Sequence, residues 1–344
     1  LVATSGDTGK AALAGFADVE RTRIIVFYPK DGVSEVQKLQ MVTQKGNNTS
    51  VIAVQGNFDN AQSGVKAMFE NKELAEQMKN NGFQFSSANS INIGRLVPQI
   101  VYYVYAYAKL LKNEEIAEGE EINVTVPSGN FGNILAAYYA KKMGLPIGKL
   151  ICASNENKVL FDFFETGTYD KKREFILTTS PSMDILISSN LERLLYMASG
   201  QNADRTAELM NALKTQGAYE IDESMREALV DFEAGYASEA EVRETIRSLY
   251  ESTGYVIDPH TAVASAVCSR YKRAHKDANK TVIVSTASPY KFMGNVMTAV
   301  DGKYAGKEEL LLADELEKIS GVEIPAAVRE IMQADILHRA ECSV

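Results

Sequence analysis

The run Ile122-Asn123-Val124-Thr125-Val126, then Pro127-Ser128-Gly129-Asn130-Phe131-Gly132-Asn133, then Ile134-Leu135-Ala136-Ala137-Tyr138-Tyr139-Ala140, constrains the fold more than any other stretch of the 344 residues. An apolar strand ends in a turn with two glycines, and an apolar helix starts at once. Gly129 and Gly132 carry no Cβ, so the backbone can turn sharply and a ligand can lie against it. The first N–H groups of a helix have no intrahelical partner and carry the positive end of its dipole. Such a turn is suited to a phosphate. Repeated units of this size fold as parallel sheets with right-handed crossovers.

The rest of the chain follows the same alternation. The pattern predicts strands over residues 1–4, 24–28, 51–54 and 84–86. It predicts helices over 10–19, 34–45 and 59–70, with Ser34 as N-cap of the second and Gly46 just past its end. Residues 96–111 carry Leu96, Val97, Ile100, Val101, Val104, Tyr105 and Ala108 and predict a helix buried between layers and bridging to a second domain. Residues 112–121 read as a charged surface loop. A second sheet is expected from strands 122–126, 150–153 and 281–285. Between about residues 155 and 254 lies a mostly helical insertion, in which Ser224 with Glu227 and Ser238 with Glu241 fit the capping box. Val242, Ile246 and Leu249 mark one helix face there. The tail from 307 to 344 reads as helical, with Pro325 at a first helical position. The expectation is an α/β chain of two three-layer αβα domains. Residues 1–94 form the smaller one, which closes on substrate; residues 95–344 form the larger one, with the helical insertion.

Composition narrows the function. A net charge of −9 argues against a nucleic-acid surface but leaves room for a local phosphate pocket. No apolar run reaches membrane-spanning length. Cys152, Cys268 and Cys342 are far apart with no CxxC spacing, which reads as free thiols in a reducing, cytoplasmic compartment. Three histidines, His260, His275 and His338, argue against a zinc site. The chain opens on Leu1-Val2-Ala3, with no Met, as if in the last residues of a strand, so an upstream part is expected.

Four further segments bear on chemistry. Thr4-Ser5-Gly6-Asp7-Thr8-Gly9-Lys10 joins a strand end to a helix start and offers hydroxyls and N–H groups to an anion. It is not a Walker A loop, because the glycines are too close and Ala11 follows the lysine. An N-cap by Ser5 or Asp7 explains it equally well. The turn at residues 128–133, taken alone, fits a tight strand-to-helix connection, and the dinucleotide fingerprint GxGxxG is absent. In Val284-Ser285-Thr286-Ala287-Ser288-Pro289-Tyr290-Lys291-Phe292 a strand ends in small hydroxyl residues, where ligands of open parallel sheets bind. Thr286 is placed there to hydrogen-bond a ring nitrogen. In Asn89-Ser90-Ile91-Asn92-Ile93-Gly94-Arg95, Arg95 is a bidentate donor for phosphate or carboxylate, or a partner in a surface ion pair. Asp258-Pro259-His260-Thr261 reads as a helix cap by Asp258 or Thr261, with a catalytic His260 the weaker reading.

In this order, and together with Gly56-Asn57-Phe58-Asp59, these segments resemble threonine synthase in its longer microbial and fungal form. That is a pyridoxal-phosphate family of the tryptophan-synthase-β-like fold, and the resemblance runs through nearly the whole chain. It implies that the amides of Gly129, Asn130, Phe131, Gly132 and Asn133 hold the cofactor phosphate. Thr286 meets the pyridine nitrogen, and Asp7 faces the phenolic oxygen, where other members of the wider fold carry Asn. Ser5, Gly6 and Thr8 bind the polar ends of the substrate. Asn92 and Arg95 grip its phosphate, with Lys38 as a further aid. Ser288 stands where many relatives have His. The two glycine-containing loops are expected to face one cleft. The implied reaction converts O-phospho-L-homoserine and water into L-threonine and phosphate. The implied partner is thus a small phosphorylated amino acid, with the protein a monomer or homodimer.

The resemblance also implies a Schiff-base lysine in a Phe-Lys-Asp motif upstream of the Thr-Ser-Gly-Asp loop. No Phe-Lys-Asp occurs in the chain. Pro29-Lys30-Asp31 follows the strand at 24–28, and neither Lys10 nor Lys291 matches. No catalytic residue is therefore assigned. The chain as it stands is expected not to turn over, to be less stable or self-associating, and to expose faces such as that of residues 96–111. Two other readings stand beside this one: another lyase or dehydratase of the same fold, against which Arg95 and Asn92 speak, and a non-catalytic module for a phosphate-bearing ligand.

Overall fold

A computed structural model describes residues 1–90 and 92–344. In chain order the first elements are β1 (Val2–Ala3), α1 (Asp7–Phe16), β2 (Ile24–Pro29), α2 (Glu35–Val42), β3 (Thr49–Gln55), α3 (Phe58–Glu70) and α4 (Lys72–Asn80). Next come α5 (Ile93–Leu96), α6 (Ile100–Lys112), β4 (Ile122–Pro127), α7 (Gly132–Lys142), β5 (Ile147–Ser154), α8 (Val159–Thr166), β6 (Thr168–Asp170), α9 (Leu191–Ala198), α10 (Ala203–Gln216) and β7 (Ala218–Glu220). The rest are α11 (Glu223–Glu227), β8 (Phe232–Tyr236), α12 (Glu239–Thr253), α13 (Pro259–His275), β9 (Thr281–Ile283), α14 (Met293–Val300), α15 (Ala313–Ser320), α16 (Ala326–Ile331) and β10 (Ala340–Ser343).

The chain divides into two units. Unit 1 comprises Leu1–Asn92, Thr253–Val256 and Ser288–Val344; unit 2 comprises Ile93–Ser252 and Ile257–Ala287. Each holds a four-stranded, all-parallel sheet, in the order β1-β2-β3-β10 in unit 1 and β8-β5-β4-β9 in unit 2. The α/β class with parallel sheets is thus as the alternation required.

In unit 1, Ile24, Val26 and Tyr28 are buried on one face of β2, with a period of two. They pack with Leu13 of α1 and Met41 and Val42 of α2. Ser34 starts α2 by a full capping box with Gln37, and Asn57 starts α3 by another with Asn60. In unit 2 every residue of β4 is buried, as expected of a central parallel strand covered on both faces. Helices α7 and α13 pack on β4 and β5, and α8 on β5 and β8. Leu135 and Leu150 are fully buried in this core.

Several expectations are corrected. Residues 84–86 form no strand. The tail is not helical throughout: β10 pairs with β3 in parallel register, Ala340 opposite Ile52, and unit 1 gains its fourth strand from it. Residues 288–344 consequently group with the N-terminal residues, not with 95–344 as expected. The missed β8 extends the second sheet beyond β5. Its sequence Phe-Glu-Ala-Gly-Tyr carries a glycine, which lowers strand propensity; Gly235 is needed because a Cβ there would sit 2.6 Å from Val267 Cγ1. The helical insertion also contains the antiparallel pair β6–β7. Ser238 and Glu241 do form the reciprocal bonds of a capping box, but α11 is capped by Asp222, whose Oδ1 accepts from Met225 N–H at 3.0 Å, instead of by Ser224.

The helix expected at 96–111 is broken. Pro98 has no N–H to donate, and a 3-10 turn (Val97–Gln99) separates α5 from α6. Only Tyr103 and Tyr107 of α6 are buried, while Val101, Tyr102, Val104 and Tyr105 are exposed. This contradicts the burial between layers that the apolar pattern alone suggested. Among the described residues no helix is long and apolar enough to cross a membrane.

The close fit around α7 sets a stability expectation. Leu135→Ala removes a fully buried side chain from α7, the helix that packs on β4 and β5, and should lower the unfolding free energy by about 2–5 kcal/mol in urea titration. Val101→Gln on the exposed side of α6 should stay within about 0.5 kcal/mol of the parent.

Candidate functional site

The turn after β4 is held from one side by the segment before α9. Ser188 Oγ donates to Gly129 O at 2.8 Å, and Asn190 donates to Asn130 O from its backbone N–H at 3.1 Å and from Nδ2 at 3.0 Å. Ser189 Oγ donates to Asn130 Oδ1 at 3.1 Å. The Gly129 position is open only to glycine, because a Cβ there would lie 2.6 Å from Ser182 O. Ser128 N–H is taken by Ala153 O at 2.8 Å, and Leu135 N–H by Phe131 O at 3.1 Å. Between them, among the described residues, no group accepts from the N–H of Gly129, Asn130, Phe131, Gly132, Asn133 or Ile134. The carbonyls of the turn are tied down while a run of successive amides is uncommitted.

Phe131 is the N-cap of α7 and has φ 64°, in the left-handed region. A bulky residue there is strained, at a cost of order 1–3 kcal/mol. Its ring is held by Phe164 and Phe232, with centroids at 6.0 and 5.8 Å, and is 2% exposed. The aromatic cluster therefore holds a backbone conformation that local preference opposes, and that conformation makes the turn.

Asn133, in the first turn of α7, is held by Tyr103. The tyrosine hydroxyl bonds Asn133 Oδ1 closely and lies 3.1 Å from Asn133 O. Burial pushes the Tyr103 hydroxyl pKa well up, so it stays a neutral donor. No signal in the sequence marks this contact, because an apolar helix containing Tyr does not reveal which hydroxyl turns inward. Arg95 lies on α5, which packs against α7. On the far side of β4, β9 is aligned in parallel, and Val284 N–H donates to Thr125 O at 2.9 Å. Thr286 follows that strand end and is exposed. Within unit 2, then, residues 129–133 and Thr286 lie at the carboxyl ends of neighbouring strands. Cys152 on β5 is fully buried, and burial pushes its thiol up to about 12, against an opposing bond from Ser128, so it is no nucleophile here.

In unit 1 the loop from Thr4 to Thr8 is built differently from the cap expected. Neither Ser5 nor Asp7 caps α1. The N-cap is Gly6 at φ 128°, and Thr4 Oγ1 accepts from Gly6 N–H at 2.9 Å and Gly9 N–H at 2.8 Å. A side chain at Gly6 would meet both an unfavourable φ and Gln37 at 2.4 Å. Asp7 Oδ1 accepts from Gln37 Nε2 at 3.0 Å and pairs with Lys291 Nζ at 2.8 Å. That pair was not legible in the sequence, since its members are 284 residues apart. Asn89 holds β1 by accepting from Ala3 N–H at 3.1 Å and donating to Ala3 O at 2.5 Å, and Asn92 Nδ2 donates to Ser87 O at 2.8 Å. This places the Asn89-to-Asn92 turn beside the strand that leads into Ser5, Gly6 and Thr8; Ile91 of that motif lies outside the described residues. Lys38 is on the exposed side of α2, and Ser288 caps the short turn Pro289–Lys291 by accepting from Tyr290 N–H at 3.3 Å. Among the described residues no group of three His, Cys, Asp or Glu is placed to hold a metal ion.

Comparison with known proteins now bears on this geometry. A family model described as "Pyridoxal-phosphate dependent enzyme" matches residues 1–287. The chain belongs to the pyridoxal-phosphate-dependent enzymes. A second family model, described as "Threonine synthase, C-terminal", matches residues 261–336. The chain is 44% identical over 309 residues to "Threonine synthase-like 1" of Macaca fascicularis, covering 87% of this chain and 41% of that protein. It is 40% identical over 338 residues to threonine synthase of Saccharomyces cerevisiae, covering 92% of this chain and 63% of that one. A crystal structure of PLP-bound threonine synthase from Brucella melitensis superposes with a TM-score of 0.79 at 37% identity, covering 99% of this chain and 67% of that one. The chain is thus threonine-synthase-like in sequence and has the fold of those structures, while it spans roughly two fifths to two thirds of the length of these proteins. The turn at residues 129–133 fits the family's cofactor. Its uncommitted amides and the absence of a Cβ at Gly129 are what a phosphate ester requires.

The strain at Phe131 has a measurable consequence. Phe131→Ala and Phe131→Gly both remove the ring, but only glycine accepts φ 64° without cost. The glycine variant should therefore be the more stable of the two by about 1 kcal/mol in urea titration, opposite to the usual order inside a helix.

Proposed function

We propose that this chain carries the cofactor- and substrate-binding part of a threonine synthase, acting on O-phospho-L-homoserine and water to give L-threonine and phosphate. The observation that carries the reading is the run of uncommitted amides from Gly129 to Ile134, at the carboxyl end of β4 in a chain of the pyridoxal-phosphate-dependent family. Those amides, at the positive end of α7, would hold the cofactor phosphate. Tyr103 keeps Asn133 in place, and Phe131 keeps the turn open. Thr286, a neutral partner, would hydrogen-bond the ring nitrogen without protonating it. When bound, the cofactor supplies an electron sink for loss of phosphate from the γ carbon and addition of water at the β carbon.

The remaining roles fall to polar groups of the chain. Asp7 is held by Lys291 and Gln37, and these two bonds would fix the orientation of the carboxylate proposed to face the phenolic oxygen. The hydroxyls of Ser5 and Thr8 and the N–H of Gly6 would receive the polar ends of the amino acid. Arg95, with Asn92, would take the substrate phosphate by paired charge-assisted bonds. The need for a phosphate grip favours this reading over a dehydratase of the same fold. No Phe-Lys-Asp occurs in the 344 residues, so the chain by itself is proposed to bind without turning over.

Binding of pyridoxal phosphate and of pyridoxal to the 344-residue chain tests the cofactor site. The phosphate ester should bind at least about ten-fold more tightly, and Gly129→Ala should abolish that difference by driving a Cβ against Ser182 O. Equal binding of the two would overturn the reading. Arg95→Ala should weaken O-phospho-L-homoserine binding by about ten-fold or more and leave the cofactor's affinity unchanged. Phosphate release from that substrate by the chain alone should stay at background.

A further inference from the structure

The Asp-Pro-His-Thr stretch, which a helix cap explains from sequence, does more than cap. Asp258 is fully buried, and its Oδ1 accepts from the N–H of His260 at 2.9 Å and of Thr261 at 3.4 Å at the start of α13. The same oxygen is 2.9 Å from His260 Nδ1, and Oδ2 is bonded closely by the Thr261 hydroxyl. From this carboxylate two arms lead outward, both within unit 2.

The first arm runs through His260, which is 2% exposed. Its Nε2 lies 3.3 Å from Ser182 N, whose N–H it accepts. These two bonds fix one tautomer, with the proton on Nδ1 facing Asp258 and a lone pair on Nε2 facing Ser182. Ser182 and Met183 are the residues whose backbone closes over Gly129, since a Cβ there would be 2.6 Å from Ser182 O and 3.2 Å from Met183 Cα. The chain then passes through Asp184, 3% exposed, which accepts from Thr178, Asn155 and Asn157, and reaches Ser188 and Asn190, which hold the carbonyls of Gly129 and Asn130. The second arm runs through Thr261, whose hydroxyl is 3.1 Å from that of Ser285, the residue before Thr286.

We propose that Asp258 and His260 are positioning residues: one buried carboxylate sets the phosphate turn through His260 and the Ser182–Asn190 segment, and the Thr286 strand end through Thr261 and Ser285. The proposal deepens the cofactor reading above and rests on it for the meaning of both ends. Neither residue touches the ligand. They determine whether the amides of residues 129–134 converge on one point.

Residue-resolved amide hydrogen exchange of the full chain, with fluorescence titration by pyridoxamine 5′-phosphate and by pyridoxamine, tests it. In His260→Ala the Ser182 amide loses its acceptor directly. Exchange at Asn190, whose N–H is bonded to Asn130 O, should also accelerate, and a merely local role would leave it unmoved. The phosphate ester should bind about ten-fold more weakly, with pyridoxamine unchanged. His260→Gln, which can donate to Asp258 and accept from Ser182, should restore both readouts. Unchanged exchange at Asn190 in His260→Ala, equal weakening of both ligands, or failure of His260→Gln to restore them would overturn the proposal. Should the parent chain bind neither ligand, the cofactor reading falls, and the exchange comparison alone decides whether His260 sets the turn.

Discussion

The parallel pairing of β4 with β5 on one side and β9 on the other is the constraint on which unit 2 depends. Parallel strands share one direction, so the residues that follow them emerge at the same edge of the sheet. Ser128 follows β4, Asn155 follows β5 and Thr286 follows a short extension of β9. A glycine turn, a buried amide side chain and a threonine thus become neighbours without being near in sequence. An antiparallel arrangement would send alternate connections to opposite edges and disperse them.

On that edge the protein divides its polar groups into committed and uncommitted ones. Three other helix starts are closed by a side chain of their N-cap residue: Ser34 for α2, Asn57 for α3 and Asp258 for α13. The start of α7 has no such cap, and its N-cap is a strained, deeply buried phenylalanine. Two buried carboxylates steady the surroundings. Burial raises Asp258, but the bonds from His260 and Thr261 prevail and hold it below the usual carboxylate range. At Asp184 burial prevails over the bonds from Thr178 and Asn155, and its pKa is raised. Rigidity of this kind lets a turn keep amides free without collapsing onto a nearby acceptor.

Much of this was legible in the residues. The alternation of strand and helix, the buried β4 and β5, the Ser34 cap and the turn at Gly129 to Asn133 all follow from period, propensity and glycine placement, which are local. The misreadings were non-local. The tail could not be read as a strand, because Ala340-Glu341-Cys342-Ser343 has no alternation of its own and is ordered by pairing with β3. The apolar stretch 96–111 points to burial between layers, yet Pro98 splits it, its valines are exposed and its tyrosines divide between an inner and an outer face. The pairing of Asp7 with Lys291 and the bond of Tyr103 to Asn133 join residues that only the tertiary fold brings together. Asp258 shows the intermediate case, since the sequence offers Asp258 or Thr261 as the cap and the structure selects Asp258, while its reach through His260 and Thr261 carries no local signal.

The position of β10 also bears on how the chain is made. Strands β1 to β3 are complete by residue 55, but the partner that covers the outer edge of β3 is not present until residue 340 has left the ribosome. Throughout that interval the backbone donors and acceptors of β3, in a run of Thr-Ser-Val-Ile-Ala-Val-Gln, stand open to any passing strand. Nascent chains held close together on one message would be the most exposed to such mispairing, and the order of synthesis closes this edge only after β4, β5, β8 and β9 of the other sheet have been made.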